Sequence, residues 1–230
     1  MIDIHSHILP NIDDGAPDID TALMLCKGLL QLGFKGVIAT PHIISDVYPN
    51  TEESIIASYQ ILKQSLLKNN IKLALGVAAE YLLDETVVSK MDKNIQLLTF
   101  PNKGLLLEFS YSHEPENITE FTFPILIKEY SMVLAHPERY SYWHGKLSQY
   151  ELLKDMGFSF QMNALSLTNY YGKQVAETAN VLLQNGMIDY IGTDIHHERH
   201  LKALLQHFGS SGLQDIIQTY QLKNKDFEID

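Results

Sequence analysis

Cysteine, basic residues and long apolar runs are all scarce in this chain of 230 residues. The single cysteine, Cys26, cannot form an internal disulfide, and its place among leucines indicates packing rather than a nucleophile. Lysine and arginine number 17 against 28 acidic residues, and the net charge of −11 argues against a nucleic-acid partner. No run approaches the roughly 20 apolar residues of a membrane span, and the first residues lack a signal-peptide pattern. We therefore expect a cytoplasmic protein that neither binds nucleic acid nor inserts into a membrane.

The sequence also lacks repeats and Pro/Gly/Ser-rich linkers, which predicts one domain over residues 1–230. Short apolar runs, typical of strands covered on both faces, alternate with segments of helical period. The predicted strands are 1–4, 36–39, 73–79, 104–109, 132–135, 158–162 and 188–192. The predicted helices are 20–32, a segment that starts near Asn50, 146–156 and 172–185, and three of them precede Gly33, Gly157 and Gly186. This alternation favours a parallel sheet, either closed into a barrel or open and doubly wound.

Imidazole and carboxylate side chains recur where the predicted strands end. Ligand sites form at the carboxyl ends of parallel strands, because the loops converge there. The imidazoles are those of His5, His7, His42, His136 and His196, and the carboxylates are those of Asp14, Glu80, Glu108 and Asp194. His5 and His7 stand two residues apart, so on an extended chain both side chains point to the same face.

These nine side chains predict a site for two or three divalent metal ions. Four carboxylates in an apolar mouth would repel one another unless cations neutralised them. Nine candidates also exceed the four to six positions of a single ion. One His-x-His pair alone is as often a core or surface feature as a ligand pair, so the prediction depends on the whole set.

Arginine occurs only twice, as Arg139 and Arg199, and each stands three residues after a predicted ligand. Arginine binds phosphate through a planar fork that lysine lacks, so this placement predicts an oxyanion substrate. For Arg199 the alternative is a role in capping a solvent-exposed helix.

Other aromatic and histidine residues lie near these motifs. Four of them, Tyr111, Tyr140, Tyr142 and Trp143, could stack on an aromatic substrate or pack at the rim of the site. We expect His197 and His200 at the surface.

The motifs resemble the polymerase and histidinol phosphatase (PHP) superfamily of metal-dependent phosphoesterases, and within it the bacterial capsule-associated tyrosine-protein phosphatases. The residues that carry the resemblance are His5-Ser6-His7, Asp13-Asp14-Gly15, Thr40-Pro41-His42, Glu80, Glu108, His136-Pro137-Glu138-Arg139-Tyr140 and Asp194-Ile195-His196. The resemblance implies an α/β fold, a distorted (β/α)7 TIM-like barrel in a single domain. It also implies a trinuclear site that usually contains manganese (Mn2+), with iron, zinc or magnesium as alternatives.

The resemblance implies a ligand set for each ion. The sets are His5, His7, Glu80 and Asp194 for the first ion, Glu80, Glu108 and His136 for the second, and Asp14, His42 and His196 for the third. Arg139 matches the phosphate-contacting arginine of the family, with Tyr140 beside it as a substrate contact. Arg199 stands closer to the last histidine than the family's second arginine does. The cysteine-dependent mechanism is excluded, because Leu32 stands where Cys26 would need its arginine.

We therefore predict a metal-dependent phosphomonoesterase, first of all a protein-tyrosine phosphatase, in which a metal-bridging hydroxide attacks phosphorus. The resemblance implies that the substrate is the tail of a membrane-anchored tyrosine kinase of capsular or exopolysaccharide synthesis. Three alternatives are a small-molecule phosphatase such as a histidinol phosphatase, a phosphodiesterase or nuclease, and a metal-binding regulatory module without catalysis. The acidic balance disfavours the nuclease, and gaps in the ligand set, expected of a non-catalytic module, are not seen.

Overall fold

The computed structural model describes residues 1–229. Its strands in this range are β1 (Ile2–Asp3), β2 (Gly36–Ala39), β3 (His42–Ile43), β4 (Ala74–Val77), β5 (Glu80–Leu82), β6 (Gly104–Glu108), β7 (Ser131–Ala135), β8 (Phe158–Asn163) and β9 (Tyr190–Gly192). Its α-helices in this range are α1 (Ile19–Gln31), α2 (Glu52–Lys68), α3 (Glu85–Asp92), α4 (Ile118–Ile127), α5 (Leu147–Asp155), α6 (Lys173–Gln184), α7 (Glu198–Phe208) and α8 (Gly212–Thr219).

The strands form two parallel sheets. One sheet has the order β1-β2-β4, and the other has the order β3-β5-β6-β7-β8-β9. Every residue of β6 is buried, as expected for a strand covered on both faces. Backbone hydrogen bonds join the two sheets at their carboxyl ends, where the Asp194 N–H donates to the His5 carbonyl at 2.8 Å and the His7 N–H donates to the Ile195 carbonyl at 2.9 Å.

Each of the seven predicted strands overlaps an observed strand, which confirms the mixed α/β fold with parallel sheets. The strands β3 and β5 were not predicted; they follow the observed strands β2 and β4, each after a two-residue interruption. Pro41 lies in the first interruption and has no N–H to donate to a neighbouring strand.

The predicted closed barrel is not seen, because strand pairing within residues 1–229 leaves two sheets and no closed one. Pairing is interrupted at two places: the residues between β2 and β3 and between β4 and β5 belong to no strand, and the segments after β1 and β9 meet only in a single bridge between Ser6 and Ile195.

Local sequence explains where the helices begin and end. Thr51, rather than Asn50, caps α2, and its side chain and that of Ser54 form a reciprocal capping box. Gly33, Gly157 and Gly186 follow α1, α5 and α6 with φ of 89°, 93° and 66°, a conformation that favours glycine. Among residues 1–229, no helix has both the length and the apolar character needed to cross a bilayer.

Candidate metal centre

All nine predicted ligands lie together at the carboxyl ends of the strands. They follow β1 (His5, His7), begin β3 and β5 (His42, Glu80), end β6 (Glu108), follow β7 (His136), follow β9 (Asp194, His196), or lie on the loop between β1 and α1 (Asp14). Most are buried, and the Asp14 side chain, 49% exposed, is the most accessible. The parallel topology therefore gathers residues from nearly the whole chain at one mouth.

The best-defined group consists of His5, His7, Glu80 and Asp194. The Nε2 atoms of His5 and His7 lie 3.2 Å apart. Each is 3.3 Å from Oε2 of Glu80 and 3.4 Å from Oδ1 of Asp194. His5, His7 and Glu80 form one mutually close group, with Asp194 next to both histidines, and the four residues are the set that the family resemblance implies for the first ion.

A second group surrounds Asp14. Its Oδ1 lies 3.6 Å from Nε2 of His42 and 3.5 Å from Nε2 of His196. His7 offers a further ligand atom to this group. This group contains all three residues implied for the third ion.

The third group is arranged differently from the implied set. Oε1 of Glu80 lies 3.0 Å from Nε2 of His136, whereas Nδ1 of His42 lies 3.1 Å from Oε2 of Glu80 and 2.9 Å from Oε1 of Glu108. Glu108 is therefore grouped with His42 and Glu80, and His136 is grouped with His5 and Asp194. Glu80 faces histidines with both oxygens, as a bridging carboxylate would.

Three buried atoms of this cluster make no hydrogen bond of good geometry among the described residues, although the nitrogen lies only 3.1 and 2.9 Å from the two oxygens. They are Nδ1 of His42, Oε2 of Glu80 and Oε1 of Glu108. An unpartnered buried polar atom is costly, and ionised carboxylate oxygens more so. A divalent cation would satisfy two oxygens and one imidazole nitrogen at once, so this donor set fits a metal ion.

Neighbouring polar side chains orient the ligands. Nδ1 of His5 lies 2.6 Å from Oε1 of Gln161, and Nδ1 of His7 lies 2.7 Å from Oδ2 of Asp13. With their protons on Nδ1, both rings present an Nε2 lone pair to the centre. The Asn163 amide donates to Oδ2 of Asp194 at 2.5 Å, which leaves Oδ1 facing the histidines.

Burial and charge together set the pKa values in the cluster. Burial alone would lower the pKa of His7, but the Asp13 carboxylate raises it to about 10. Burial opposes ionisation of Asp13 as well, yet the charge of His7 holds the pKa of Asp13 at about 2. Burial and the His7 charge lower the pKa of His196 to about 4. His196 therefore offers a free lone pair at neutral pH, whereas His7 must release a proton to bind an ion.

Two of the predicted ligands have left-handed backbone conformations. His136 has φ of 36° and Asp194 has φ of 50°. This region costs a residue other than glycine about 1–3 kcal/mol and persists where the surrounding structure enforces it. The strained positions are those at which β7 and β9 turn a side chain into the centre.

A cavity of about 250 Å³ opens over the centre. Six of the nine predicted ligands line it, and so does Arg139, which donates from Nη1 to Oδ2 of Asp194 at 3.1 Å. Tyr111 and Tyr171 also line the cavity. An anion in this cavity would meet an arginine beside the ligand cluster.

The profile of the family described as "Capsular polysaccharide synthesis, CpsB/CapC" matches residues 1–211. The chain belongs to the CpsB/CapC family. It is 30% identical over 197 residues to tyrosine-protein phosphatase YwqE of Bacillus subtilis, a match that covers 86% of this chain and 78% of YwqE. It is 25% identical over 206 residues to tyrosine-protein phosphatase CpsB of Streptococcus pneumoniae, a match that covers 86% and 83% of the two chains.

Crystal structures of YwqE from Bacillus subtilis and CpsB from Streptococcus pneumoniae are described as those of unique metal-dependent tyrosine phosphatases. The matched chain superimposes on this CpsB/CapC chain with a TM-score of 0.83 at 28% identity, and the match covers 100% of this chain and 96% of the other. The resemblance to capsule-associated phosphatases is thereby confirmed.

Two residues predicted to contact the substrate, Tyr140 and Arg199, do not line the cavity in this CpsB/CapC chain. Tyr140 is fully buried, and its hydroxyl donates to the Ala135 carbonyl and accepts from the Phe109 N–H. Tyr140 therefore packs in the core next to the site and is not among the residues that line the cavity. Arg199 is exposed on the first turn of α7, also outside the lining, so its catalytic role stays a prediction.

The expectation for His200 was wrong, and several supporting residues were missed. His200 is 9% exposed and lines the cavity together with His197. Gln161 carries no sequence signal, because it lies inside an ordinary buried strand. Asp13 stands in the Asp13-Asp14-Gly15 motif, whose neighbouring acidic residues could have indicated one ligand and one residue supporting a histidine.

Proposed function

We propose that this chain is a metal-dependent protein-tyrosine phosphatase that hydrolyses phosphotyrosine on a bacterial tyrosine kinase of capsular or exopolysaccharide synthesis. The observation that carries the proposal is the buried cluster of four carboxylates and five imidazoles with unpartnered donor atoms, next to one arginine in the same cavity. The relatives named above as tyrosine-protein phosphatases support the substrate class.

The ligand assignment is part of the proposal. His5, His7, Glu80 and Asp194 would hold one ion, and Asp14, His42 and His196 would hold another. Glu80, Glu108 and His136 would hold the third, with His42 close to the same carboxylates. Manganese is the proposed metal, because the family resemblance implies it and the four carboxylates suit it. Bound divalent ions would lower the pKa of water toward 7 and withdraw charge from the phosphoryl oxygens.

The residues of the chain itself bind and orient the ester. Arg139 keeps one hydrogen bond to Asp194 and has further N–H donors for the phosphoryl oxygens. Its charge would stabilise the negative charge that the phosphoryl group gains during in-line attack. Tyrosinate, with a pKa of about 10, leaves with less acid assistance than an alkoxide, so a dedicated acid is not required.

We also propose that residues 1–230 form one PHP-type domain with a distorted barrel. The hydrogen bonds that join the two sheets at their carboxyl ends support this, as does a structural match that covers the whole chain.

The test combines elemental analysis of the purified protein with activity after chelation and add-back of manganese, zinc, iron or magnesium. We expect phosphotyrosyl-peptide hydrolysis to disappear on chelation and to return best with manganese. Faster turnover of histidinol phosphate than of the peptide would instead assign a small-molecule phosphatase. Full metal loading without hydrolysis of either ester would reject an enzymatic role.

A further inference from the structure

Arg139 contacts two tyrosine rings from separate loops. Its guanidinium carbon lies 4.5 Å from the ring centroid of Tyr171 and 5.0 Å from that of Tyr111. Tyr111 follows β6, and Tyr171 precedes α6, so the two rings reach the arginine from different parts of the mouth. Both distances fall within the range of a cation–π interaction.

These contacts restrict a side chain that would otherwise be mobile. Arginine has many rotamers, and fixing one of them on ligand binding reduces affinity. The Arg139 side chain is 25% exposed, and its only side-chain hydrogen bond to the described residues is the one to Asp194. With one hydrogen bond, the guanidinium can still rotate about the bonded Nη1 atom. The contacts with the two tyrosine rings would limit this rotation.

The two tyrosines differ in what their hydroxyls do. The Tyr111 hydroxyl lies 3.2 Å from Nδ1 of His136, a predicted ligand. The Tyr171 hydroxyl is buried and has no hydrogen-bond partner among residues 1–229. The ring of Tyr171 is therefore the part that contacts the arginine, and its hydroxyl adds no observed bond.

We infer that Tyr171 and Tyr111 are positioning residues that hold the Arg139 guanidinium ready for the phosphoryl group. This inference rests on the proposed phosphatase function. Tyr171 contributes more than Tyr111 to holding the guanidinium in place, because the ring of Tyr171 is closer to it and Tyr111 is 43% exposed to solvent.

The experiment measures binding of inorganic phosphate to the manganese-loaded protein by calorimetry, together with KM and kcat on a phosphotyrosyl peptide. Tyr171→Leu keeps apolar bulk and removes the aromatic face, so we expect phosphate affinity to fall about tenfold and KM to rise by a similar factor. Tyr171→Phe keeps the face, and we expect it to restore most of that affinity. Tyr220→Leu, on a tyrosine that is 42% exposed outside the site, is the surface control.

A double-mutant cycle separates positioning from general damage. In an Arg139→Ala background, Tyr171→Leu should cost almost no further phosphate affinity, because the group that it positions is gone. Metal content should match that of the wild type in every variant. Equal phosphate affinity for Tyr171→Leu and the wild type, or the same loss with and without Arg139, would overturn the inference. A wild type that is inactive, but whose phosphate affinity depends on Tyr171 only when Arg139 is present, would reject the phosphatase function. It would still support the positioning of Arg139 by Tyr171.

Discussion

Gln161 is expected to control metal affinity although it is not itself a ligand. It is fully buried on β8, and its Oε1 lies 2.6 Å from Nδ1 of His5. Its amide nitrogen donates to Oδ1 of Asn163 at 3.1 Å, and Asn163 in turn donates to Asp194. One side chain thus supports two predicted ligands of the same ion.

The magnitude follows from this position. Gln161→Met keeps the length of the side chain and removes both polar atoms, so the His5 ring loses the acceptor that fixes its proton on Nδ1. Loss of such a partner typically lowers metal affinity 10- to 100-fold, or about 1.4–2.8 kcal/mol. The metal-free fold loses both hydrogen bonds of Gln161 and leaves a His5 N–H and an Asn163 oxygen unpaired, at about 1–3 kcal/mol for each buried group.

Two measurements distinguish the loss of metal affinity from the loss of stability. The first is manganese affinity, by competitive titration of the metal-free protein, and the second is the free energy of unfolding of the metal-free protein in urea. Ser159→Ala, two residues earlier on β8 and outside the cluster, is the matched control. Manganese affinity that is the same in Gln161→Met and Ser159→Ala would refute the reasoning. So would a loss of affinity fully explained by a loss of stability.

Three further predictions concern the ligands, a buried carboxyl and a glycine. Glu108→Gln and His136→Ala should each reduce hydrolysis of a phosphotyrosyl peptide at least 100-fold while circular dichroism remains that of a folded chain; undiminished turnover would remove them from the centre. Burial raises the pKa of Asp3 to about 6, although the hydrogen bonds that Thr193 donates to it act in the opposite direction. Because the pKa of Asp3 in the unfolded chain is 3.8, ionisation of this carboxyl destabilises the fold as the pH rises above that value. The metal-free wild type should therefore lose about 2 kcal/mol more stability than Asp3→Asn between pH 4 and pH 6 in urea titrations, and parallel pH profiles would contradict this. Gly192→Ala would place a methyl group 2.7 Å from Cβ of His5 and 2.9 Å from Nε2 of Gln161, so the metal content of the purified protein should fall. Full metal loading would show that the end of β9 can shift to make room for the methyl group.

The sequence permits prediction of the parts that depend on local pattern and topology. Apolar runs predicted the seven main strand regions, and Gly33, Gly157 and Gly186 predicted three helix ends. The convergence of His5 and Asp194 could be expected because parallel strands end at one edge, whatever the sequence distance between them.

The rest depends on packing that no spacing reveals. Tyr140 follows Arg139 directly, yet its ring turns into the core, where its hydroxyl bonds two backbone groups. Tyr171 lies on a loop with no motif, and only the folded chain brings its ring to Arg139. Whether two short sheets close into a barrel depends on one or two backbone pairs near Ser6, which strand propensity does not determine.

The hydrogen bonds between the segments after β1 and β9 also affect the order of events during synthesis. His5 and His7 leave the ribosome long before Asp194 and His196, which stand far later in the chain. A nascent or truncated chain that stops before Asp194 holds an incomplete ligand set and lacks the Asp194 N–H and the Ile195 carbonyl, which bond the backbone of His5 and His7. Stable capture of ions is therefore a late step, and prematurely terminated products should remain metal-free.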